Sequence, residues 1–237
     1  MTKPLSSYKS TGRLAELLFR FHKGPRRTCR WLVDRLRDRQ LDRAFGILSS
    51  PPPEIRKLPP SAEFVRYQAV SYSDMREVIE LLAIGPSEVF LDYGSGMGRA
   101  VCLAATYPFR TVIGIEISRD LCALANHNLN KVRDKLQCRD VRFLEKNAQE
   151  YKIPEAVTIF FFFNPFRGSV LTEVLDNIAR SVREAPRKVR VVFYGTVSTR
   201  HFRIHAARHG WLKLASETVL RTGAVVLIYV NTNSNIC

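Results

Sequence analysis

Residues 89–99 read VFLDYGSGMGR, and they constrain the architecture more than any other segment of the chain. The first five residues form a short apolar run typical of a buried β-strand. Three glycines follow, and residues 99–107 then predict a helix. Glycine lets the backbone turn sharply and lets a ligand approach bare peptide groups, while the helix start offers free N–H groups. The segment therefore predicts a ligand-binding strand–loop–helix unit, with a plain tight turn as the alternative.

The glycine spacing argues against one common class of cofactor. The order G-S-G-M-G departs from the G-x-G-x-x-G pattern of dinucleotide-binding loops. We also find no acid/base pair of the kind that a nicotinamide-dependent dehydrogenase uses. A dehydrogenase is accordingly a distant alternative.

Strands and helices alternate after this loop. Two late apolar runs, at 212–220 and 224–230, flank Arg221-Thr222-Gly223 and predict a hairpin. The order predicts an α/β fold with a mostly parallel seven-stranded sheet, helices on both faces and a C-terminal antiparallel hairpin. The other predicted strands are 111–116, 141–144, 157–163 and 189–194. The other helices are about 118–131, which Ser118 can N-cap, 169–184 and 198–209.

Two acidic residues stand at predicted strand ends. Asp92 ends the first strand just before the glycine loop, and Glu116 ends the second, 18 residues after Gly98. A carboxylate at the second position can accept both hydroxyls of a bound ribose. An ordinary strand-end charge is the alternative for Glu116.

A second pattern, residues 161–166 (FFFNPF), lies at the end of the fourth predicted strand. Parallel sheets bind ligands at this edge. Pro165 fixes the backbone after Asn164, whose side chain can bind an amino group and orient its lone pair toward an electrophile. Phe166 either stacks on a flat substrate or walls the pocket. The alternative is an Asx-Pro turn that closes a core strand.

Taken together, these motifs resemble those of a known enzyme family. Residues 90–99, Gly114-Ile115-Glu116 and Asn164-Pro165-Phe166 resemble class I S-adenosylmethionine-dependent methyltransferases, over about residues 61–230. With Phe45-Gly46-Ile47 and Arg66-Tyr67, the chain is similar to a bacterial group of these enzymes. The resemblance implies a Rossmann-like domain, S-adenosyl-L-methionine as cofactor and methyl transfer as activity.

The resemblance also implies roles for single residues. Asn164, Pro165 and Phe166 would face the methyl group as catalytic residues. Asn147 stands where the family usually has an Asp that contacts the adenine amine, so we expect a weaker or different contact there. No metal or nucleophilic residue is required, because the sulfonium methyl is already activated. The implied cofactor-binding residues are Asp92, Gly94, Gly96 and Gly98 for the amino acid end, Glu116 for the ribose, and Asn147 and Ala148 for the adenine, together with their neighbours Tyr93, Ser95 and Ile117.

The positive charge is concentrated near the N-terminus. The chain of 237 residues carries a formal charge of +15, and residues 1–66 hold 15 Lys and Arg against 6 Asp and Glu. Helical patterns at 14–21 and 30–43, the latter with an apolar stripe of Trp31, Leu32, Leu36 and Leu41, precede two proline runs. We expect a basic helical arm over residues 1–60 and a methyltransferase domain over 61–237. The arm either packs as a solvated helix pair or binds phosphates of nucleic acid or anionic lipid.

Other side chains give weaker signals. Tyr67, Ser71 and Tyr72 either line the cofactor pocket or only pack. His201 and His205 are four residues apart on a basic helix, and we expect them at the surface. The five cysteines are odd in number and widely spaced, and no apolar run is long enough to span a membrane, so we expect a reduced, cytoplasmic protein. The Arg-rich start also fits a transit peptide.

Three functions remain open at this point. The first is a methyltransferase acting on a nitrogen of a protein or nucleic acid. The second is a methyltransferase acting on a small molecule or lipid, and the third is a non-catalytic module that binds the cofactor. The sequence leaves the methyl acceptor unidentified.

Overall fold

A computed structural model describes residues 25–50, 67–195 and 199–232, with side chains from residue 32 onward. The helix expected at 14–21 and the proline-rich connector lie outside the described residues. The described helices are α1 Pro25–Phe45, α2 Tyr72–Leu82, α3 Arg99–Ala104, α4 Arg119–Val132, α5 Gly168–Glu184 and α6 Arg200–Arg208. The strands are β1 Val89–Tyr93, β2 Thr111–Glu116, β3 Asp140–Glu145, β4 Ile159–Phe162, β5 Arg190–Gly195, β6 Leu212–Val219 and β7 Val225–Asn231.

The strands of the described residues form one sheet in the order β3-β2-β1-β4-β5-β7-β6. The first five are parallel neighbours, and β7 pairs antiparallel with both β5 and β6. The predicted fold class is therefore confirmed. The chain runs outward from β1 to β3 and then returns to place β4 on the other side of β1. This reversal opens a crevice at the carboxyl ends of β1 and β4, where such sheets bind ligands.

Strand β4 is buried on both faces, as its uninterrupted apolar sequence predicts. Phe161 packs into the core layer that holds α2, α3 and α4, while Phe160 and Phe162 pack into the layer beneath α5 and α6. These two layers hold β4 rigidly at the centre of the sheet. The loop that follows β4 is consequently carried on a fixed support.

Helix α1 contacts the domain through polar residues as well as through Phe45, whose ring stacks on Tyr72, and the expected apolar stripe is only partly confirmed. Leu36 is 59 % exposed, whereas Asp42 is buried. Arg99 of α3 donates to Asp42 at 2.5 Å, and the Tyr72 hydroxyl donates to the same carboxylate at 2.9 Å. A buried ion pair thus forms part of the face toward the domain, and hydrophobic periodicity does not reveal it. A domain boundary at residue 60 stays a prediction.

Candidate active site

A cavity of about 510 Å³ opens at the carboxyl edge of β1, β2 and β4. This size lies within the range of small-molecule sites. Residues from the glycine loop, the ends of β2 and β3, the loop after β4 and helix α6 all contribute to its wall. Among the lining residues are Tyr67, Asp92, Gly94, Ser95, Gly96, Arg99, Glu116, Ile117, Lys146, Asn147, Ala148, Phe163, Asn164, Pro165, Phe166, Arg167, Phe193 and His201.

The loop after β1 needs its glycines for both conformation and space. Gly94, Gly96 and Gly98 have φ of 72°, 55° and 81°, in the left-handed region that glycine favours. A Cβ on Gly96 would lie 2.3 Å from the Tyr67 ring, and one on Gly98 would lie 2.3 Å from Phe143. The loop is therefore closed tightly against its neighbours. Gly98 shapes this turn without lining the cavity itself.

Glu116 ties the glycine loop to the end of β2. Its carboxylate accepts hydrogen bonds from the Gly96 and Ser118 N–H groups, each at 2.9 Å. Burial raises the pKa of Glu116, and these backbone hydrogen bonds lower it in part. The Ser118 hydroxyl accepts from Leu121 N and caps α4, as the sequence predicts. Glu116 thus has both a structural contact and a face on the cavity.

Asp92 places a carboxylate at the inner end of the cavity. Its residue is only 3 % exposed, and burial together with the charge of Glu116 raises its pKa well above the ordinary value. A cationic group in the cavity would stabilise the ionised form. The cavity also presents the Ser95 and Tyr67 hydroxyl oxygens, which are buried without a hydrogen-bond partner among the described residues. These polar groups suit a ligand with an ammonium and several hydrogen-bonding atoms.

The adenine-side residues are arranged differently. Asn147 borders the cavity, but its side-chain oxygen accepts from Gln149 N and its amide nitrogen donates to Glu150, both at 3.1 Å. The side chain is thereby committed to a local turn. Ile117 is 52 % exposed and, with Ala148, borders the cavity on the same side.

Tyr93 is one expected cofactor residue that the structure places away from the cavity. Successive side chains of a strand point to opposite faces, so Tyr93 points away from the face that Asp92 occupies. Its ring stacks on Phe162 with centroids 4.9 Å apart and is fully buried. The expectation of a cofactor contact from this side chain is corrected accordingly.

The loop after β4 forms the opposite end of the cavity. Asn164 has φ +46°, a left-handed conformation that Asn tolerates better than most residues. Pro165 packs against the glycine loop, since a Cβ on Gly94 would lie 2.5 Å from the Pro165 Cβ. Phe166 is 5 % exposed and packs edge-on against Phe162, with centroids 6.0 Å apart. Of the two expected roles for Phe166, walling the pocket agrees with this position.

Several cavity residues were missed by the sequence analysis. The expectation that His201 and His205 lie at the surface is wrong: His201 borders the cavity and His205 is 8 % exposed. Arg99 borders the cavity as well, held by Asp42 and by the Val70 carbonyl. Each is positioned by a partner distant in sequence, which no local pattern reveals. Lys146 and Arg167 add two cations to the wall.

The residues expected before α2 divide between the two alternatives. Tyr67 lines the cavity, with its ring over Gly96. Ser71 and Tyr72 do not line it. Ser71 shares a hydrogen bond with Ser73, and Tyr72 donates to Asp42.

No helix among the described residues is long and apolar enough to cross a membrane.

Comparison with known proteins identifies the fold independently. A solved S-adenosylmethionine-dependent methyltransferase from Aquifex aeolicus superposes with a TM-score of 0.57 at 13 % identity, covering 68 % of this chain and 91 % of that one. An RNA methyltransferase from Salinibacter ruber, solved with S-adenosyl-L-homocysteine, gives a TM-score of 0.51 at 19 % identity, covering 70 % and 95 %. At these identities the likeness shows the fold.

Sequence comparison identifies the family. A Caenorhabditis elegans protein named histone-lysine N-methyltransferase, H3 lysine-79 specific, is 26 % identical over 141 residues, which are 55 % of this chain and 15 % of that protein. The chain thus spans a small part of its curated relative, and an origin in a bacterial group stays a prediction. The sequence model of the family described as "Histone methylation protein DOT1" matches residues 51–203. Because that match covers more than half of the chain, the protein belongs to the DOT1 family, and it has the fold of S-adenosylmethionine-dependent methyltransferases.

Proposed function

We propose that this methyltransferase transfers the methyl group of S-adenosyl-L-methionine to a lysine side-chain nitrogen of a protein. The observation that carries the proposal is the position of Asn164, at an end of the cavity walled by Phe163, Phe166 and Phe193. Membership of the DOT1 family and the name of the curated relative support a protein acceptor.

The cofactor fits the remainder of the cavity. Asp92 is suited to the ammonium of the amino acid end, because a buried carboxylate of raised pKa gains most from a cationic partner. Each oxygen of Glu116 already accepts one backbone N–H and retains a lone pair for a ribose hydroxyl. Ile117, Asn147 and Ala148 would contact the adenine. When bound, the cofactor supplies a methyl group activated by the positive sulfur.

Asn164 would orient the acceptor. Its side-chain oxygen can accept a hydrogen bond from the amine, which directs the nitrogen lone pair toward the methyl group. The lysine reacts as the neutral amine, so its extra proton must leave before transfer. The aromatic walls exclude water and contact the aliphatic stem of a lysine. In this arrangement the protein contributes alignment rather than a covalent intermediate.

The basic N-terminal region supports an anionic partner in the same complex. Arg37, Arg39 and Arg43 lie exposed on the outer face of α1. We infer that the acceptor protein is presented together with nucleic acid, whose phosphates would meet these cations. Binding to duplex DNA or RNA that weakens steeply with rising salt is the expected result. Affinity that does not change with salt would contradict this part of the proposal.

Transfer of a labelled methyl group tests the acceptor. The protein is incubated with S-adenosyl-L-methionine labelled in the methyl group, together with core histones, nucleic acid and lipid vesicles in separate reactions. We expect label that is removed by protease and is located on lysine by mass spectrometry, with the Asn164→Ala variant as the control. Label confined to nucleic acid, lipid or a small molecule would contradict the proposal in favour of the other methyltransferase classes.

A further inference from the structure

We propose that His201 is a positioning residue: its neutral imidazole holds residues 164–168 in the geometry that presents Asn164 to the acceptor. The inference rests on the proposed function only for its effect on turnover. The hydrogen bond at its centre can be measured without any acceptor.

The segment after β4 is held at both ends. At its start, Pro165 packs against Gly94 of the cofactor loop. At its end, the Gly168 N–H donates to His201 Nε2 at 3.3 Å. Asn164 and Gly168 both have left-handed backbone, with φ of +46° and +60°. Because a non-glycine residue in this region carries a conformational cost, Asn164 keeps this backbone only while its surroundings enforce it.

The ring of His201 is itself held in place. The His205 ring, one helical turn along α6, meets it at a centroid distance of 4.6 Å in an edge arrangement. His205 Nδ1 shares a hydrogen bond with Thr172 Oγ1 of α5 at 2.9 Å. The two histidines therefore link α5, α6 and the segment after β4. A side chain fixed in this way can position a neighbour.

The hydrogen bond requires the neutral ring. Nε2 accepts from Gly168, so it carries the lone pair, and protonation would place an N–H against an N–H. Burial and the charge of Arg167 lower the pKa of His201. The charged groups around the pair are Arg167 on the segment, Arg208 at the end of α6, His209 directly after α6, and Asp176 of α5 beside His209. Protonation of His201 would release the segment and leave the cofactor end intact.

Amide exchange of Gly168 tests the anchor directly. We compare wild type with His201→Ala, which removes the acceptor, and His201→Gln, whose amide oxygen can accept without titrating. His127→Gln, on the exposed face of α4, is the matched control. Exchange rates corrected for intrinsic chemistry, cofactor affinity and lysine methylation are each measured between about pH 5 and 8.

We expect His201→Ala to raise Gly168 exchange and lower kcat about tenfold, the effect of losing one hydrogen bond, with cofactor affinity unchanged. His201→Gln should restore most of the protection of the Gly168 amide and most of kcat. It should also remove the loss of protection that wild type shows at acidic pH. His127→Gln should behave as wild type. Should His201→Ala fail to fold, the pH dependence of His201→Gln decides.

Two results would overturn the proposal that His201 holds the Gly168 N–H. One is Gly168 exchange that is the same in His201→Ala and wild type. The other is a folded His201→Gln protein that retains the wild-type loss of protection at acidic pH. Absence of lysine methylation by wild type, with Gly168 exchange responding as expected, would refute the proposed function and leave the anchor standing.

Discussion

The two ends of the cavity are held by different kinds of contact. At the end formed by β1 and β2, the backbone holds the site: Gly94 N and Ser95 N donate to the Ile115 carbonyl, and Gly96 N donates to Glu116. At the end formed after β4, side chains hold it, through Pro165 against Gly94 and His201 beneath Gly168. The first end depends on backbone N–H groups and on glycines where a side chain would overlap its neighbours, and the second depends on the side chains of Pro165 and His201.

This difference indicates how tolerant each end is to change. A backbone-held loop has few alternative conformations, so an added methyl group there disturbs the whole turn. A side-chain-held segment can be loosened by one substitution while the sheet beneath it stays folded. We therefore expect substitutions at the first end to affect stability and cofactor binding, and substitutions at the second to affect transfer.

Gly98→Ala tests the end of the cavity that is formed by β1 and β2. The new Cβ would lie 2.3 Å from Phe143 at a φ of 81°, so steric overlap is added to an unfavourable backbone conformation. We expect a loss of about 3–4 kcal/mol in the free energy of unfolding, measured with urea. The matched control is Gly223→Ala, which has φ 87° and nothing within 4 Å of its Cβ. It should lose only about 1–2 kcal/mol, and equal losses in the two variants would contradict the steric explanation.

Asn164→Ala tests the end of the cavity that is formed by the loop after β4. We expect kcat for lysine methylation to fall about 100-fold, because a hydrogen bond that orients the reacting group is lost. Cofactor affinity, measured by calorimetry, should change by less than about twofold, because the residue contacts the acceptor in this scheme. Asn164→Gly permits the left-handed backbone without the side chain. A Gly variant with full activity would show that conformation, rather than the amide, is what Asn164 supplies.

Asp92→Asn separates binding from stability at the cofactor end. Loss of the negative charge should weaken cofactor binding at least about tenfold, since hydrogen bonds to charged groups contribute about 1.5–3 kcal/mol. The raised pKa of Asp92 means that the native state binds this proton more tightly than the unfolded state does. The contribution of Asp92 to the free energy of unfolding therefore falls as pH rises through its pKa in the folded state. An Asn side chain does not ionise, so the variant does not show this loss.

The cofactor-free Asp92→Asn protein should accordingly be at least as stable as wild type at neutral pH. The exposed Asp134→Asn variant provides the control for a simple change of charge. Unchanged cofactor affinity in Asp92→Asn would remove Asp92 from the site.

Asp38→Asn tests the contact of α1 with the domain. Burial raises the pKa of Asp38 from 3.8 to about 6, against the lowering effects of the Tyr72 N–H and Arg99. Wild type should lose stability relative to Asp38→Asn as pH rises from about 4 to 6, by about 1–2 kcal/mol, because solvent screens the partly exposed carboxylate and reduces the full effect of the shift. Urea unfolding at several pH values measures the difference. A pH-independent difference would contradict the burial of Asp38 against the domain.

Much of the fold was predictable because it is encoded locally. Strands β1 and β2 begin and end at the predicted residues, and the Ser118 cap and the C-terminal hairpin lie where turn and capping patterns place them. The expected buried stripe of α1 is wrong at Leu36, which is exposed, and the contacts of that helix include the buried Arg99 as well as the Tyr72 ring. The extent of α3, which ends at Ala104 rather than 107, also depends on neighbouring packing.

The sequence by itself indicated the end of the cavity that we assign to the cofactor, because its glycines, Asp92 and Glu116 stand in or beside one strand–loop–helix unit. It also placed Asn164 at a strand end. The tertiary structure added His201, 33 positions beyond Gly168, to the other end, and it added Arg99, 57 positions beyond Asp42, to the wall beside the glycine loop. Periodicity shows which face of a helix is buried where that face is apolar. The identity of the residue that meets that face is a long-range contact, and it is fixed only when the chain packs.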